Sequence, residues 1–412
     1  MNSVTTTLTE RDDLDLLTGA QAQELIRAAL TGTGGDVDDL HVQVDRVHHR
    51  PGSGVSVAYR VGYGSPAGQV SEYLVASTAP SARGNEGTAL LDDGERQVRV
   101  WRHVDDPALP GLRAACDPVR VREWLVEAGV SGPDAEVRLE MLSYRPTRRA
   151  VLRATAADTV VFLKVLPPER SEALTKRHLV LERAGIGAPR VLVVPVAGVN
   201  VLSAAEGRPL ANALADARLD PTTLPHPGAL EEMLDALPVE VMDLPRRASW
   251  ADRVDFHAAA AAAALPEAAD RVADLEARIG VVLAATPAGP EVVTHGDFYE
   301  ANIFTAGGRL TGIIDVDSVG PGRRIDDLAT LLGHLAVLRD LAPGVYPHVP
   351  EIGAQWLDHF SRRVDPAGLR ARTAAVVLSL VAGTTREQGM SRLDVAADWL
   401  ADAESTLTTE PR

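Results

Sequence analysis

The chain has 412 residues, 45% of them hydrophobic, and a formal net charge of −16 at pH 7. Its length allows two or three domains, and the dispersed hydrophobic residues predict a globular protein with a substantial core. The acidic charge argues against nonspecific binding to nucleic acid or to anionic membranes. The longest uninterrupted run of apolar residues, Ala258 to Leu265, is too short to span a bilayer.

The N-terminus and the cysteine content predict a cytoplasmic location. Residues 1–7 contain neither the basic flank nor the apolar segment of an export signal. The single cysteine, Cys116, excludes an intramolecular disulfide and fits a reducing compartment.

The first 130 residues predict one helix and then mainly strands. Apolar residues recur at helical spacing from Leu14 to Ala29, which predicts an amphipathic helix. Strands are predicted over residues 41–49, 55–61, 72–77 and 98–103, with a turn at 50–54 and a loop over 80–96. Asp117 and Pro118 then predict the start of a short helix that contains Trp124.

A pattern in this section recurs further along the chain. Val42-x-Val-x-x-Val-x-x-Arg-Pro51 is echoed by Val137-x-Leu-x-x-Leu-x-x-Arg-Pro146, and predicted strands follow each copy. Such self-similarity predicts a duplicated three-stranded unit, although two unrelated meanders would also explain a match this short. In a duplicated unit, Val75 is the expected counterpart of Lys164.

Lys164 interrupts an apolar strand that runs from Thr159 to Leu166. A lysine inside a sheet is costly without an anionic partner, so an anion is expected beside it. The alternative is an edge strand whose lysine faces water.

Beyond residue 207 the pattern is mainly helical. Prolines interrupt helices between residues 211 and 245, and Ser249 is predicted to cap a long helix that continues to Ala264. Further helices are predicted over residues 266–283, 325–339, 350–363, 366–383 and 391–405.

One hairpin interrupts these helices and brings three oxygen-bearing side chains to one end of a small sheet. An apolar strand leads to a tight turn at Gly296 and to Asp297, and Asn302 follows five residues later. After a second strand, a Gly-Gly turn at residues 307–308 leads into a third strand that ends in Asp315. Phosphoryl transfer from a magnesium nucleotide needs such a set. One carboxylate receives the acceptor's proton, while an amide and a second carboxylate hold the metal.

These residues resemble the signature of the aminoglycoside phosphotransferase and choline kinase-like family, the small-molecule branch of the protein-kinase fold. In that family His-Gly-Asp is followed by Asn five residues after the Asp and then by an Ile-Asp strand. The matching residues here are His295, Gly296, Asp297, Asn302, Ile314 and Asp315, with Gly322 and Asp327-Leu-Ala329 matching the helix start that follows. The resemblance covers about residues 137 to 340.

The resemblance implies an α+β, protein-kinase-like bilobal fold with an extra N-terminal α+β cap domain. The expected domains are a cap over residues 1–130, a small β-rich nucleotide-binding lobe over residues 131–206 and a large helical catalytic and substrate lobe over residues 207–412. ATP with Mg²⁺ is expected to bind between the lobes. Because Val75 is not a cation, the first copy of the repeat is not expected to bind nucleotide phosphates.

The resemblance also implies a role for each matching side chain. Asp297 is expected to orient and deprotonate the acceptor hydroxyl. Asn302 and Asp315 are expected to hold Mg²⁺, and Lys164 is expected to contact the α- and β-phosphates. Arg148 either supplies a further cationic contact to the phosphates or is solvated.

Some features depart from the family pattern. The loop over residues 144–149 contains no glycine, so a backbone cradle for phosphate is not expected there. The helix glutamate that usually pairs with the strand lysine is missing near residues 176–178, and Glu172 and Glu182 are the nearest candidates. Two residues expected to line the acceptor side also differ from many relatives: Tyr299 in place of His, and Glu300 in place of Pro.

The missing Asp-Phe-Gly motif and activation segment argue against a protein kinase and for a small hydroxylated acceptor. The extended N-terminal region is similar to that of sugar-phosphorylating, maltokinase-like members, which favours a sugar or an amino sugar. The alternatives are an aminoglycoside-type antibiotic as acceptor, or a nucleotide-binding regulator that has lost catalysis. The acceptor's identity, the preference for ATP or GTP and the oligomeric state are not predicted.

Overall fold

The computed structural model describes residues 10–32, 37–49, 54–66, 68–80, 87–217 and 224–409. These residues form an α+β fold, as predicted, and the chain divides into two compact units. The first unit comprises residues 1–175 and 191–204, and the second comprises residues 176–190 and 205–412. The predicted cap and most of the predicted small lobe fall in the first unit, and their separation as domains stays a prediction.

The N-terminal helix is predicted in the right place, but the prediction of one continuous helix is wrong. Two helices replace it, α1 Glu10–Thr18 and α2 Gln21–Gly32. The N–H of Gly19 donates to the carbonyl of Asp15 at 2.9 Å, and a Cβ on Gly19 would lie 2.5 Å from the same oxygen. This glycine therefore ends α1 and lets both helices pack on the first sheet.

The described residues of the first unit form two five-stranded antiparallel sheets. The strands of the first sheet are β1 Asp38–His49, β2 Val55–Ser65, β3 Gly68–Ser77, β4 Thr88–Asp92 and β5 Gln97–Arg102. Those of the second sheet are β6 Val137–Arg145, β7 Arg149–Ala156, β8 Thr159–Val165, β9 Val191–Val193 and β10 Val199–Ser203. The strand order across the first sheet is β1-β2-β3-β5-β4, and across the second it is β6-β7-β8-β10-β9. This shared order supports the predicted duplication and extends it from three strands to five.

Strand β4 is one of the strands that the sequence pattern missed. It lies within the predicted loop over residues 80–96, of which residues 81–86 are outside the described residues. β4 is an edge strand and pairs only with β5, and its Leu90 is half exposed. None of its five residues is fully buried, so the strand lacks the apolar–polar alternation of a half-buried strand. The predicted turn at residues 50–54 lies outside the described residues except for Gly54.

Helices flank the second sheet as well. They are α3 Leu112–Ala115, α4 Pro118–Glu127 and α5 Pro168–Arg183. The prediction for α4 is confirmed, since the Asp117 carboxylate caps it by accepting from the Val119 N–H at 2.9 Å. α5 connects β8 to β9, and the boundary between the two units falls inside this helix.

The two sheets of the first unit share one hydrophobic core. Val75 and Trp101 of the first sheet belong to the same buried cluster as Leu163 and Val165 of the second. The opposite face of the first sheet is covered by α1 and α2. Lys164 alternates with Leu163 and Val165, so it lies on the face of β8 away from the shared core. Val75 lies in the shared core, and its equivalence to Lys164 stays a prediction.

In the part of the second unit that the structure describes, two small sheets replace the single sheet that the hairpin predicted. One consists of β11 Arg208–Pro209, β13 Ile303–Ala306 and β14 Arg309–Ile313, and the other of β12 Glu291–Thr294 and β15 Gly320–Arg323. The predicted Gly307-Gly308 turn joins β13 to β14, and both glycines have positive φ. β12 pairs with β15 because the chain after β14 turns back beside it.

Helices form the rest of the second unit. They are α6 Leu210–Asp216, α7 Pro227–Asp235, α8 Val254–Ala264, α9 Ala269–Ala285, α10 Arg324–Leu341, α11 Val349–Phe360, α12 Pro366–Ser379 and α13 Arg386–Thr409. α12 packs against α8, α9, α10 and α13 through mainly small residues, including Ala371 and Ala374. The prediction that Ser249 caps α8 is wrong. Ser249 instead exchanges hydrogen bonds with Asp252 in a preceding 3₁₀ turn. Within the described part of the chain, no helix is both long and apolar enough to cross a membrane.

Candidate active site

The candidate site begins at a turn of the hairpin that only glycine fits. β12 ends at Thr294, and Gly296 follows with φ +76°. A Cβ on Gly296 would lie 2.8 Å from the carbonyl oxygen of Ser318. The loop therefore lies directly against the segment after β14, which is why a side chain at residue 296 is excluded.

His295 connects this loop to the end of β14. Its ring is fully buried, with Nε2 3.0 Å from the carbonyl oxygen of Ile314, and Nδ1 3.3 Å from the backbone nitrogen of Asp297. A carbonyl only accepts and an N–H only donates, so the ring carries its proton on Nε2. Burial lowers the pKa of His295 to about 4, and the ring is therefore neutral near pH 7.

Asp327, in the first turn of α10, holds the same loop from another side. Its buried carboxylate accepts from the N–H groups of His295 and Gly296, each at 2.8 Å. Burial raises the pKa of Asp327 to about 7, against the two hydrogen bonds that favour the ionised form. Asp327 thus has a structural role, and its hydrogen bonds go to the loop and not to the start of its own helix.

Asn302 lies at the other end of the loop and is held at three points. Its side-chain Nδ2 donates to the carbonyl of Asp297 at 2.9 Å, its N–H donates to Tyr299, and its carbonyl accepts from the Ile314 N–H. The hydrogen bond at Nδ2 orients the amide and leaves Oδ1 as its acceptor atom. Residues 297, 302 and 314 are thus linked directly through hydrogen bonds.

Asp315 follows Ile314 in the left-handed region, with φ 55° and ψ 48°. A residue other than glycine costs about 1–2 kcal/mol in this conformation, and such strain concentrates at functional sites. The charge of Asp315 and that of Asp317 raise the pKa of His295 against the effect of burial, which places both carboxylates near the imidazole.

The donor set of this loop fits magnesium. It offers the carboxylates of Asp297 and Asp315 and the amide oxygen of Asn302, which are hard oxygen ligands of the kind that Mg²⁺ prefers. The predicted ligands, Asn302 and Asp315, come from segments joined by the hydrogen bond from Ile314 to the Asn302 carbonyl. Their role in holding a metal stays a prediction.

Tyr299 and Glu300 connect the loop to helices of the second unit. The Tyr299 ring stacks on His334 of α10, with ring centroids 4.1 Å apart. Glu300 is 5% exposed, and burial raises its pKa to about 7. Its charge acts together with burial to raise the pKa of Tyr346. Glu300 is therefore more buried than an acceptor-lining residue is expected to be, and the predicted substrate contacts of both residues stay predictions.

Arg177 is a residue near the site that sequence reasoning missed. It lies on α5, in the Lys-Arg-His stretch where the family pattern has a glutamate, and it is 7% exposed. Its Nε donates to the carbonyl of Val319 at 3.0 Å. Burial lowers the pKa of the guanidinium, and the nearby Asp317 carboxylate partly opposes this effect. The basic stretch was the feature of the sequence that could have indicated Arg177. Its hydrogen-bond partner, Val319, lies 142 residues away and could not be identified from the sequence.

Lys164 lies in the first unit on a central strand. β8 is hydrogen-bonded to β7 and β10, and Lys164 is opposite Val151 and Asn200. It is 8% exposed, so the alternative of an edge-strand lysine facing water is wrong. Its expected contact with phosphates stays a prediction.

The strand neighbour of Lys164 attaches α5 to the sheet through neutral groups. The buried Asn200 donates from Nδ2 to Ser171 Oγ at 2.7 Å, and its Oδ1 accepts from Thr175 Oγ1 at 2.5 Å. Glu172 and Glu182 lie on the exposed face of the same helix. α5 is therefore tied to this sheet by an amide and two hydroxyls at the level of Lys164.

Arg148 occupies the loop between β6 and β7, also in the first unit, and its side chain is exposed. The preceding Thr147 has φ +59°, a conformation that is rare for a β-branched residue. The N–H of Thr147 donates to the buried carboxylate of Asp106 at 2.8 Å. The glycine-free loop thus has a defined conformation, and the predicted phosphate contact of Arg148 stays a prediction.

The matched sequence and the geometry of the loop agree with one protein family. The model of the phosphotransferase enzyme family (APH) matches residues 147–375, which is more than half of the chain. The chain belongs to this family. The predicted resemblance is thereby confirmed, and this phosphotransferase is a small-molecule kinase with the protein-kinase-like fold of its family.

Several solved structures are similar to this phosphotransferase at low sequence identity. A thermostable mutant of aminoglycoside phosphotransferase APH(4)-Ia, in a ternary complex with ADP and hygromycin B, is 16% identical, with a TM-score of 0.45 over 71% of this chain and 98% of that one. Macrolide 2'-phosphotransferase MphH from Brachybacterium faecium is 16% identical, with a TM-score of 0.41 over 71% of this chain and 99% of that one. A choline/ethanolamine kinase family protein from Mesorhizobium loti is 17% identical, with a TM-score of 0.46 over 70% of this chain and 98% of that one. No curated protein matches the chain.

Proposed function

We propose that this enzyme transfers the γ-phosphoryl group of ATP, bound with Mg²⁺, to a hydroxyl group of a small molecule. The observation that carries the proposal is the fixed loop from His295 to Asn302. The side chains of Asp327, His295 and Asn302 hydrogen-bond to its backbone and hold Asp297 on a rigid support. The strained Asp315 directly follows Ile314, whose N–H donates to the carbonyl of Asn302 in the same loop. Rigid placement of a base and of metal ligands is what phosphoryl transfer requires, since positioning and electrostatics supply most of the catalysis.

Each side chain has a distinct role in this proposal. Asp297 orients the acceptor hydroxyl and takes up its proton. Asn302 Oδ1 and the Asp315 carboxylate hold Mg²⁺, which when bound neutralises charge on the phosphates. Lys164 and Arg148 contact phosphate oxygens.

The acceptor that we propose is a sugar or an amino sugar. The support is the large N-terminal part of the first unit, which the family signature does not require and which is similar to that of sugar-phosphorylating members. An aminoglycoside is the second candidate, because the net charge of −16 favours a cationic acceptor. Tyr299 and Glu300 are the proposed acceptor contacts in both cases.

The test is ADP release by the full-length enzyme with ATP and Mg²⁺ and a panel of sugars, amino sugars and aminoglycosides. We expect turnover with at least one sugar or amino sugar. Turnover with aminoglycosides alone selects the second candidate. Tight ADP binding without turnover on any hydroxylated compound would instead support a regulator without catalysis.

The Asp297→Asn variant is the control for that assay. It keeps the size of the side chain but removes the base, so kcat should fall by about 10²–10⁴-fold. Equilibrium binding of ADP with Mg²⁺ should change little, because Asp297 is not a proposed nucleotide ligand. An active variant would overturn the assignment of Asp297.

A further inference from the structure

Asp106 is a buried carboxylate that neither the family signature nor the proposed chemistry uses. It follows β5, at the end of the first sheet, and is 1% exposed. Three donors surround it: the Tyr144 hydroxyl at 2.7 Å, the Thr147 N–H at 2.8 Å and the Ala108 N–H at 2.9 Å. Two of these donors belong to β6 and to the loop that follows it.

The loop from Arg145 to Arg149 depends on this carboxylate for its shape. It contains no glycine, and Thr147 at its centre adopts φ +59°. Within the loop, the Arg148 N–H donates to the Arg145 carbonyl at 3.0 Å. The Thr147 N–H is satisfied from outside the loop, by Asp106 Oδ2.

Tyr144 places the same carboxylate in a longer network. Its hydroxyl donates to Asp106 and accepts from the Trp101 Nε1–H at 3.2 Å. Trp101 lies on β5 and is buried in the core shared by the two sheets. The network therefore runs from the core of the first sheet to the backbone of the β6–β7 loop.

We propose that Asp106 is a positioning residue that holds the glycine-free β6–β7 loop in the conformation in which Arg148 reaches the nucleotide phosphates. This inference rests on the proposed function and gives the N-terminal sheet a part in nucleotide binding. In a phosphate-binding loop, glycines allow the backbone to take its shape. Here a carboxylate from the segment after the first sheet holds the loop in one conformation. Loss of the carboxylate releases the Thr147 backbone and lowers nucleotide affinity, while Asp297 and its loop are unaffected.

The test compares Asp106→Asn with the wild-type enzyme by titration with ADP and Mg²⁺. An asparagine offers one acceptor oxygen in place of two, so it cannot satisfy both Ala108 and Thr147. We expect the Kd for ADP and the KM for ATP to rise about tenfold, with kcat at saturating ATP and the KM for the acceptor within a factor of two to three. Equal affinity in the two folded proteins would overturn the proposal. A wild-type enzyme that binds no ADP would instead contradict the proposed function.

The matched control is Tyr59→Phe, and a second variant is Tyr144→Phe. Tyr59 is a buried tyrosine of the same unit whose hydroxyl donates to the Leu17 carbonyl at 2.6 Å, away from the loop. Its loss should lower thermal stability without changing nucleotide affinity. Tyr144→Phe removes one donor to Asp106 and should weaken ADP binding by a smaller factor than Asp106→Asn.

Hydrogen exchange tests the inference even if the Asp106→Asn protein does not fold. We expect the peptide containing residues 145–149 of the wild-type enzyme to hold a protected amide at Thr147. Exchange of that amide at the rate of an open loop would overturn the proposal. Protection that is lost in Tyr144→Phe would support it.

Discussion

His295 acts as a neutral connector within the candidate site, because its burial lowers the pKa of the ring to about 4. With the proton on Nε2, the ring donates to Ile314 and accepts from the Asp297 N–H. It therefore joins the segment that carries Asp297, the proposed base, to the segment that carries Asp315, without adding a charge to the site.

Stability should depend on pH through His295. In the unfolded chain its pKa is near 6.5, so between pH 6.5 and about 4 the unfolded state takes up a proton that the folded state does not. The free energy of unfolding should therefore fall as the pH is lowered, by about 2 kcal/mol at pH 5 from this residue. Urea unfolding at pH 7.5 and pH 5 measures the change. His295→Gln, which keeps a donor and an acceptor, should show a smaller difference, and an equal difference would contradict this account.

Gly296 should not tolerate a side chain. The φ of +76° and the Cβ contact of 2.8 Å with the Ser318 carbonyl predict that Gly296→Ala costs about 1–3 kcal/mol and displaces the loop. Displacement of Asp297, the proposed base, should lower kcat by about 10- to 100-fold. Kinetics and thermal unfolding of the variant measure both effects.

Gly280→Ala is the matched control for that substitution. Gly280 is exposed in α9 and a Cβ there meets no atom within 4 Å. This variant should be more stable by about 0.5–1 kcal/mol, with unchanged kcat. Similar behaviour of the two alanine variants would show that the turn at Gly296 is not constrained.

At the scale of elements, three segments converge on the loop after β12. α10 supplies Asp327, the chain after β14 supplies the carbonyl of Ile314, and α5 supplies Arg177 to the neighbouring Val319 carbonyl. In the first unit, α5 is tied to β10 through Asn200. Because these contacts go mostly to backbone groups, they fix the course of the chain without using the carboxylates of Asp297 and Asp315, to which the proposal assigns the chemistry.

Removal of the Asp327 carboxylate should disrupt the loop. In Asp327→Ala the N–H groups of His295 and Gly296 lose a shared acceptor in a buried place. We expect a loss of about 3 kcal/mol in the free energy of unfolding. Circular dichroism during chemical unfolding measures this loss, with Asp398→Ala, an exposed residue of α13, as the control expected within about 0.5 kcal/mol of wild type. A variant as stable as the control would exclude the clamping role.

At the scale of the whole molecule, the core of the first unit determines how much of the chain must fold together. The two sheets bury Val75, Trp101, Leu163 and Val165 in one cluster, and α3 and α4 contribute to it. Sequence alone suggested that the region before residue 131 is a separate cap. A cluster that spans both sheets predicts that they fold as one cooperative unit.

Deletion of residues 1–130 should therefore prevent folding of the second sheet. Leu163 and Val165 would lose their packing partners, and each large side chain left exposed costs about 1.5–3 kcal/mol. We expect the fragment 131–412 to be insoluble or to lack a cooperative thermal transition, in contrast to the full chain. A soluble fragment with a cooperative transition would support the separate cap domain.

The sequence by itself determined the elements and the chemistry that depend on local order. Alternating apolar residues predicted the strands, including the one around Lys164, and the spacing of Asp297, Asn302 and Asp315 identified the loop and the family. These features depend on neighbours within a few residues, so their physical basis is visible in the linear chain. The unpredicted strand β4 lacks such a pattern, since none of its residues is fully buried.

Only the tertiary structure decided which distant residues support that loop and the β6–β7 loop. Asp327 lies 31 residues from Gly296, Asp106 lies 41 residues from Thr147 and Arg177 lies 142 residues from Val319. A carboxylate or a guanidinium can pair with any exposed backbone group, so the sequence does not specify the partner. The partner is chosen when the sheets and helices pack, because packing leaves these backbone groups buried and in need of the one polar side chain within reach.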